Sequence, residues 1–404
     1  MKIRITPAPL RGRITPPPSK SQAHRLILAA ALAEGESRLQ NVALSQDIAA
    51  TLGCMRALGA QAASDGSVVR GIGGRRTAGE LPRLDCGESG STLRFLIPVA
   101  LAVAGGGRFV GRGRLLERPQ DPYEALFAQR GIRFVRRSGE IVIEGTLQSG
   151  EFALAGNISS QFVTGLLYAL PLLEGDSTLT LTTPLESRGY VDMTLEALRN
   201  SGITVTEGPN GWFIPGNQRY QPICAAVESD YSQAGFFCAA NVLGAQVEIG
   251  GLNPDSLQGD RIILDFCAQL AQPGEAVLDV RECPDLVPPL AAAAALRGGE
   301  ITRIVGAARL RMKESDRLET VTAQLSALGA DIAEGPDFLT IRGVDSLHGG
   351  RVSACNDHRI AMMLAVAAMR ADGAVVIDGA ECVAKSYPDF WADYEALGGK
   401  IERI

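Results

Sequence analysis

One phrase recurs along this chain: an amphipathic helix, a glycine, then a strand. It reads Ala57-Leu58-Gly59-Ala60, Gln129-Arg130-Gly131-Ile132, Asn200-Ser201-Gly202-Ile203, Ala327-Leu328-Gly329-Ala330 and Ala396-Leu397-Gly398-Gly399, with a degenerate copy around Gly274. Successive glycines stand 72, 71, 72, 55 and 69 residues apart. Each follows apolar residues at helical spacing, such as Leu318, Val321, Leu325 and Leu328, and glycine in that place suits a left-handed helix cap. Every repeat also carries a second helix, apolar all round, over residues 26–32, 93–103, 162–173, 236–243, 286–296 and 360–369. A helix with no polar face belongs in the middle of a domain. Alternating stretches such as Glu140-Ile141-Val142-Ile143 and Thr178-Leu179-Thr180-Leu181 supply the strands. A unit of about 67 residues, one sixth of the 404, exceeds a solenoid repeat and predicts a closed pseudo-symmetric arrangement.

Two segments divide the six units into three and three. Thr15-Pro16-Pro17-Pro18 is stiff and extended, and residues 215–227 form an irregular stretch with Gly, Pro and Asn. The expected fold is therefore α/β (α+β), with one domain over 14–226 and another formed by 1–13 and 227–404. Met1-Lys2-Ile3-Arg4-Ile5 alternates as a strand and lacks the apolar core of a secretory signal. Apolar residues make up 46% of the chain, too many for disorder, and their runs break before the 18 or so residues of a membrane span. Eight cysteines are scattered without a Cys-x-x-Cys pair or a Cys/His cluster, which points to reduced thiols, no metal site and a cytoplasmic protein. The formal charge of −6 offers no general attraction for nucleic acid, so any bound anion must be held by local clusters of cations.

Those clusters stand at the starts of the buried helices. The six read Ser19-Lys20-Ser21-Gln22-Ala23-His24-Arg25, Gly87-Glu88-Ser89-Gly90-Ser91-Thr92-Leu93-Arg94, Ser159-Ser160-Gln161, Asp230-Tyr231-Ser232-Gln233, Cys283-Pro284-Asp285 and Asn356-Asp357-His358-Arg359. Ser, Asp and Asn there serve as N-caps. Capping does not account for Lys20, Arg25, Arg94 or Arg359, because a cation at a helix N-terminus opposes the macrodipole unless an anion lies between them. Only five lysines occur against thirty-four arginines, and Lys20, Lys313 and Lys385 all fall in such motifs. Arg311-Met312-Lys313-Glu314-Ser315-Asp316-Arg317 is expected to open an amphipathic helix, with Lys313 and Arg317 on one face. Leu116-Glu117-Arg118-Pro119 and Ala384-Lys385-Ser386-Tyr387-Pro388-Asp389 add further cations. His24 and His358 precede an arginine at equivalent points of the repeat, and structural hydrogen bonds explain them better than proton transfer. No Ser-His-Asp order, His-Glu-x-x-His or Gly-x-x-x-x-Gly-Lys-Ser/Thr is present, which removes triad hydrolase, zinc peptidase and P-loop kinase readings.

At these residues the sequence resembles the 3-phosphoshikimate 1-carboxyvinyltransferase (EPSP synthase) family, within the enolpyruvyl transferases. Eight motifs match in order over nearly the whole chain: Pro18-Ser19-Lys20-Ser21 through Arg25, Gly87 through Phe95, Glu117-Arg118-Pro119, Ser159-Ser160-Gln161-Phe162, Pro284-Asp285, Lys313 through Arg317, Asn356 through Arg359, and Ala384 through Asp389. The resemblance implies two similar domains, each of three inverse βαβαββ units around buried helices, closing over the substrates. It implies transfer of the enolpyruvyl group of phosphoenolpyruvate to the 5-hydroxyl of shikimate 3-phosphate in aromatic amino acid biosynthesis, by addition and elimination. No metal or organic cofactor is implied, and the expected partners are the two substrates alone, bound to a monomer without nucleic acid or membrane.

By the same resemblance, shikimate 3-phosphate is held by Lys20, Ser21, Arg25, Ser159, Ser160, Gln161, Ser187, Tyr190, Asp285 and Lys313. Phosphoenolpyruvate is held by Lys20, Gly90, Arg118, Gln161, Arg317, Arg359 and Lys385. Asp285 is the implied base at the hydroxyl, Glu314 the proton donor to the methylene, and Lys313 a contact that tunes both. Arg309 departs from the family pattern, where many members carry an Asn four residues before the lysine. The alternative within the enolpyruvyl transferases acts on UDP-N-acetylglucosamine, and it carries a Cys on the loop that here runs from Gly111 to Pro119 without one. A non-catalytic phospho-ligand binding protein on the same scaffold would need neither Asp285 nor Glu314.

Overall fold

The repeated glycines end their helices in the left-handed region, with φ running from +66° at Gly131 to +110° at Gly59. A side chain resists that conformation, and adopting it lets the next amide reach back over the helix end. The same bond recurs in five repeats: Ala60 to Met55 (3.0 Å), Ile132 to Phe127 (3.0 Å), Ile203 to Leu198 (2.9 Å), Ala330 to Leu325 (3.1 Å) and Gly399 to Tyr394 (2.9 Å), each an N–H donating to a carbonyl. The computed structural model describes residues 1–73 and 79–404, and it divides into two units, residues 20–227 and residues 1–19 with 228–404.

Among the described residues, the unit 20–227 holds three four-stranded sheets. In each, a parallel pair is extended by an antiparallel hairpin, as in Arg83–Asp85 beside Gly106–Val110, followed by Glu140–Glu144 and Arg133–Arg137. In the second and third sheets a buried helix links the parallel strands. The first sheet takes its outer parallel strand, Cys224–Ala226, from the far end of the unit, inside the stretch expected to be irregular. Three helices fill the middle: Lys20–Leu32, Gly90–Ala104 and Ser160–Ala169. Their apolar residues, Phe95, Phe162 and Tyr168 among them, form one core with Phe127.

The other unit repeats the plan. Ala276–Asp279, Ile301–Val305, Phe338–Arg342 and Asp331–Glu334 make one sheet. In the next, Lys2–Thr6 lies antiparallel between Val375–Asp378 and Lys400–Arg403. The fourth repeat is reduced to a parallel pair, Arg11–Ile14 with Gln246–Ile249. Its missing hairpin explains the short spacing from Gly274 to Gly329, since the chain passes from the helix Ile263–Leu270 directly to the strand Ala276–Asp279. Tyr231–Val242, Val287–Ala294 and His358–Ala367 fill the core of this unit.

Candidate active site

The buried helices carry their polar residues at their N-termini, where free N–H groups need acceptors. Ser89 accepts from Thr92 N (3.2 Å), Ser159 from Gln161 N (3.3 Å), Asp230 from Ser232 N (2.8 Å) and Asp357 from Arg359 N (3.0 Å). Around these caps the cations separate into one group in each unit.

In the unit 20–227, Lys20 begins its helix and donates to Asp47 Oδ2 at 2.7 Å. Arg25, one turn on, is 2% exposed, and burial pushes its guanidinium down to about 10. It donates to Thr194 Oγ1 (2.8 Å), the Ser21 carbonyl (2.7 Å) and Thr164 Oγ1 (3.4 Å), and its plane lies 5.2 Å from the Phe95 ring and 5.8 Å from Tyr190. Among the described residues no carboxylate pairs with Arg25. A buried cation held only by neutral acceptors is ready for an anion. Ser187 is buried beside this cluster in sequence, in the left-handed region at φ +60°, just before the helix that carries Tyr190 and Thr194.

Gly90, Arg118 and Gln161 also come together. A Cβ placed on Gly90 would stand 2.9 Å from Arg118 Nη1 and 3.6 Å from Gln161 Oε1. Gln161 accepts from Arg94 Nη1 (2.8 Å) and donates to Ser91 Oγ (3.0 Å), and Arg94 also donates to the Pro119 carbonyl (3.0 Å). Ser160, the first residue of its helix, is buried next to Ser159.

His24 Nδ1 meets Thr51 Oγ1 at 2.7 Å, and Thr51 meets Thr92 Oγ1 at 2.7 Å, so one string of hydrogen bonds ties three helices together. Burial, with Lys20 and Arg25 nearby, holds this imidazole well below its usual value and therefore neutral.

The unit containing residues 228–404 gathers Asp285, Lys313, Glu314, Arg317 and Arg359. Asp285 Oδ1 accepts from Arg317 Nη1 (2.7 Å) and lies 3.2 Å from Lys313 Nζ, while Oδ2 accepts from Arg359 Nη2 (3.1 Å). Burial alone would raise this carboxyl, but Arg359, Lys313 and Arg317 outweigh it and hold Asp285 well below the usual carboxylate range. Arg317 also donates to Glu314 Oε2 (2.6 Å) and through Nε to Asp357 Oδ2 (2.8 Å). Burial lowers Lys313, with the adjacent Asp285 opposing that shift. Arg359 reaches Ser232 Oγ (2.6 Å), and Lys385 Nζ donates to the Asn356 carbonyl (2.6 Å).

One expectation about this cluster fails. Lys313 does not share a helical face with Arg317: it is extended (φ −88°, ψ −159°), and the helix Arg317–Ser326 begins only after Asp316, whose side chain accepts from Glu319 N at 3.2 Å. Asp316 caps the helix, so Lys313 and Glu314 stay in the preceding loop, where Lys313 meets Asp285 and Glu314 meets Arg317. Arg309 is buried in the same turn, donates to the Arg281 carbonyl, and lies close enough to Lys313 to disfavour its charge.

The motifs give Asp47 no role and Asp357 none beyond capping. Asp47 reads in sequence as an ordinary acidic residue in a first helical turn, following the Ser45 cap. Asp357 reads as a cap and nothing more. Among the described residues no group of three His, Cys, Asp or Glu is arranged to hold a metal ion, and no helix is long and apolar enough to cross a membrane.

Comparison with known proteins adds a third line of observation. The family model of EPSP synthase (3-phosphoshikimate 1-carboxyvinyltransferase) matches residues 5–394. The 3-phosphoshikimate 1-carboxyvinyltransferase of Clostridium acetobutylicum is 44% identical over 419 residues, covering 99% of this chain and 98% of that protein. The protein of the same name from Clostridium perfringens strain 13 is 43% identical, with 98% of each covered. Among solved structures, an EPSP synthase from Acinetobacter baumannii superposes with a TM-score of 0.79 at 25% identity and full coverage of both chains. The enolpyruvyl transferase NikO from Streptomyces tendae shares the fold, with a TM-score of 0.78 at 20% identity over 99% of this chain and 98% of that one.

Proposed function

The chain belongs to the EPSP synthase (3-phosphoshikimate 1-carboxyvinyltransferase) family and transfers the enolpyruvyl group of phosphoenolpyruvate to shikimate 3-phosphate in the shikimate pathway; from that premise we propose how its residues divide the work. Each substrate brings a phosphate and a carboxylate, and cations must meet them in a protein of net charge −6. The observation that carries the assignment is the contrast between the two clusters. Arg25 is a buried guanidinium bonded to neutral acceptors, whereas Arg317, Arg359 and Lys313 are bonded to the carboxylate expected to act as base.

Arg25 takes the phosphate of shikimate 3-phosphate, with Lys20, Ser21, Ser159, Ser160, Gln161, Ser187 and Tyr190 on that phosphate or the ring, and Asp285 and Lys313 on the ring hydroxyls. Lys20, Gly90, Arg118, Gln161, Arg317, Arg359 and Lys385 take phosphoenolpyruvate. Asp285, ionised at neutral pH, accepts the proton of the 5-hydroxyl as its oxygen bonds to C2 of phosphoenolpyruvate, and Glu314 gives a proton to C3. In the elimination step C3 returns its proton to Glu314, the C2–O bond to phosphate breaks, and the phosphate leaves with the proton that Asp285 had taken. The anion of phosphoenolpyruvate shares Arg317 and Arg359 with Asp285, and loss of their full attraction raises the proton affinity of the carboxylate as the reaction needs.

The eight free cysteines support a cytoplasmic location, where the enzyme works as a monomer. Phosphate release from phosphoenolpyruvate tests the function: it should require shikimate 3-phosphate. Release without it, or only with UDP-N-acetylglucosamine, would overturn the reading. Asp285→Ala and Glu314→Ala should each lower kcat by about a hundredfold or more while substrate dissociation constants change far less; normal turnover in both variants would remove them from the chemistry.

A further inference from the structure

Asp357 does more than cap its helix. A capping aspartate needs to accept only from the first amides, as Asp230 does from Ser232 N and Gln233 N at the start of Tyr231–Val242. The Asp357 carboxylate is fully buried and accepts from the Arg359 amide (3.0 Å), from Arg317 Nε (2.8 Å) and Nη2 (3.3 Å), and from Ser315 Oγ (3.1 Å). Three of those four donors lie outside its own helix.

Arg317 therefore has two unlike edges. The Nε edge faces a carboxylate with no exposed side-chain surface, while Nη1 and Nη2 also reach Asp285 and Glu314, whose side chains are 18% and 15% exposed. The inner partner stays fixed. The outer partners sit where a ligand can replace them.

The residues before Asp357 are conformationally costly. Cys355 and Asn356 are both left-handed, at φ +50° and +53°. Two consecutive residues with a Cβ in that region cost of the order of 1–2 kcal/mol each, and such a turn persists only when its surroundings hold it. It places the Asn356 carbonyl on Lys385 Nζ at 2.6 Å and leaves Asp357 extended (φ −119°, ψ 117°), as a cap must be.

We propose that the segment 355–357 is a positioning device: the Asp357 carboxylate sets Arg317 and the start of the helix bearing Arg359, and the Asn356 carbonyl sets Lys385, so one turn orients three cations toward phosphoenolpyruvate. This rests on the assignment of those three cations made above. Asp357 and Asn356 are positioning residues, since each acts through another side chain and neither touches substrate.

The full-length Asp357→Asn variant keeps a capping side chain but loses the charge that Arg317 faces. Its KM for phosphoenolpyruvate should rise about tenfold or more, the scale of one charge-assisted hydrogen bond, while the KM for shikimate 3-phosphate stays within about twofold. A merely structural role would move both constants together, or neither. Asn356→Gly, which accepts positive φ, should keep the wild-type KM for phosphoenolpyruvate, and Asn356→Val, which resists it, should raise that constant. An unchanged KM for phosphoenolpyruvate in Asp357→Asn, an equal rise in both KM values, or identical behaviour of the two Asn356 variants overturns the proposal. If Asp357→Asn does not fold, the Asn356 pair decides. Wild-type enzyme that releases phosphate without shikimate 3-phosphate would strike the functional reading instead, and active wild type with unaffected variants strikes this inference alone.

Discussion

Gly90 shows how much one missing methyl group decides. A Cβ there meets the end of the Arg118 side chain at 2.9 Å, a contact that the flexible arginine relieves by moving. Gly90→Ala should therefore fold with little change in Tm and raise the KM for phosphoenolpyruvate by about tenfold, equivalent to about 1.4 kcal/mol of binding. Steady-state kinetics against a melting curve checks this, and a fold lost before KM changes would contradict it. His24 gives a prediction of the opposite kind, in stability. Its folded form stays neutral below the usual pKa, whereas the unfolded chain binds a proton near pH 6.5. The native advantage is complete above about pH 6.5 and drains as the pH falls toward the depressed folded value. Melting temperatures measured from pH 7 to pH 5 should consequently fall more steeply in the wild type than in His24→Asn.

At the scale of the element, the helix–glycine–strand phrase was legible because its physical cause is local. A left-handed cap needs glycine wherever it occurs, so the pattern survives when everything around it changes. Two of these glycines should respond differently to alanine. Gly131 has nothing within 4 Å of a new Cβ, so Gly131→Ala costs only the backbone conformation, about 1–2 kcal/mol. Gly329 has the exposed His348 ring at 2.6 Å from that position, so Gly329→Ala should lose up to about 1 kcal/mol more as the ring turns away from its hydrogen bond to Asp372. Denaturant midpoints order the pair, and equal losses would refute the argument. The start of the helix after Lys313 was less legible. Its charges fit helical spacing, and only the cap that Asp316 forms on the Glu319 amide put Lys313 and Glu314 in the loop.

For the whole molecule, chain order and spatial order part company at the ends of the sequence. Lys2–Thr6 is an interior strand with a neighbour on each side, Val375–Asp378 and Lys400–Arg403. Deleting residues 1–6 should break two ladders and unfold the unit that contains residues 228–404. The unit 20–227 completes its sheets from its own residues and should retain its helical circular dichroism when expressed alone. A truncated chain that melts like the wild type, or an unfolded 20–227 fragment, would show that the boundaries lie elsewhere. The repeated units, their buried helices and the polar chemistry of each helix start are written in the chain itself, because propensity, periodicity and capping act over a few residues. Tertiary structure alone decided that Cys224–Ala226 completes a sheet begun nearly two hundred residues earlier, that Asp47 holds Lys20, and that Asp357 grips Arg317 across 40 residues of chain. Such pairings depend on burial and on which partner lies nearest once the core has closed, and no local pattern in the chain carries that information.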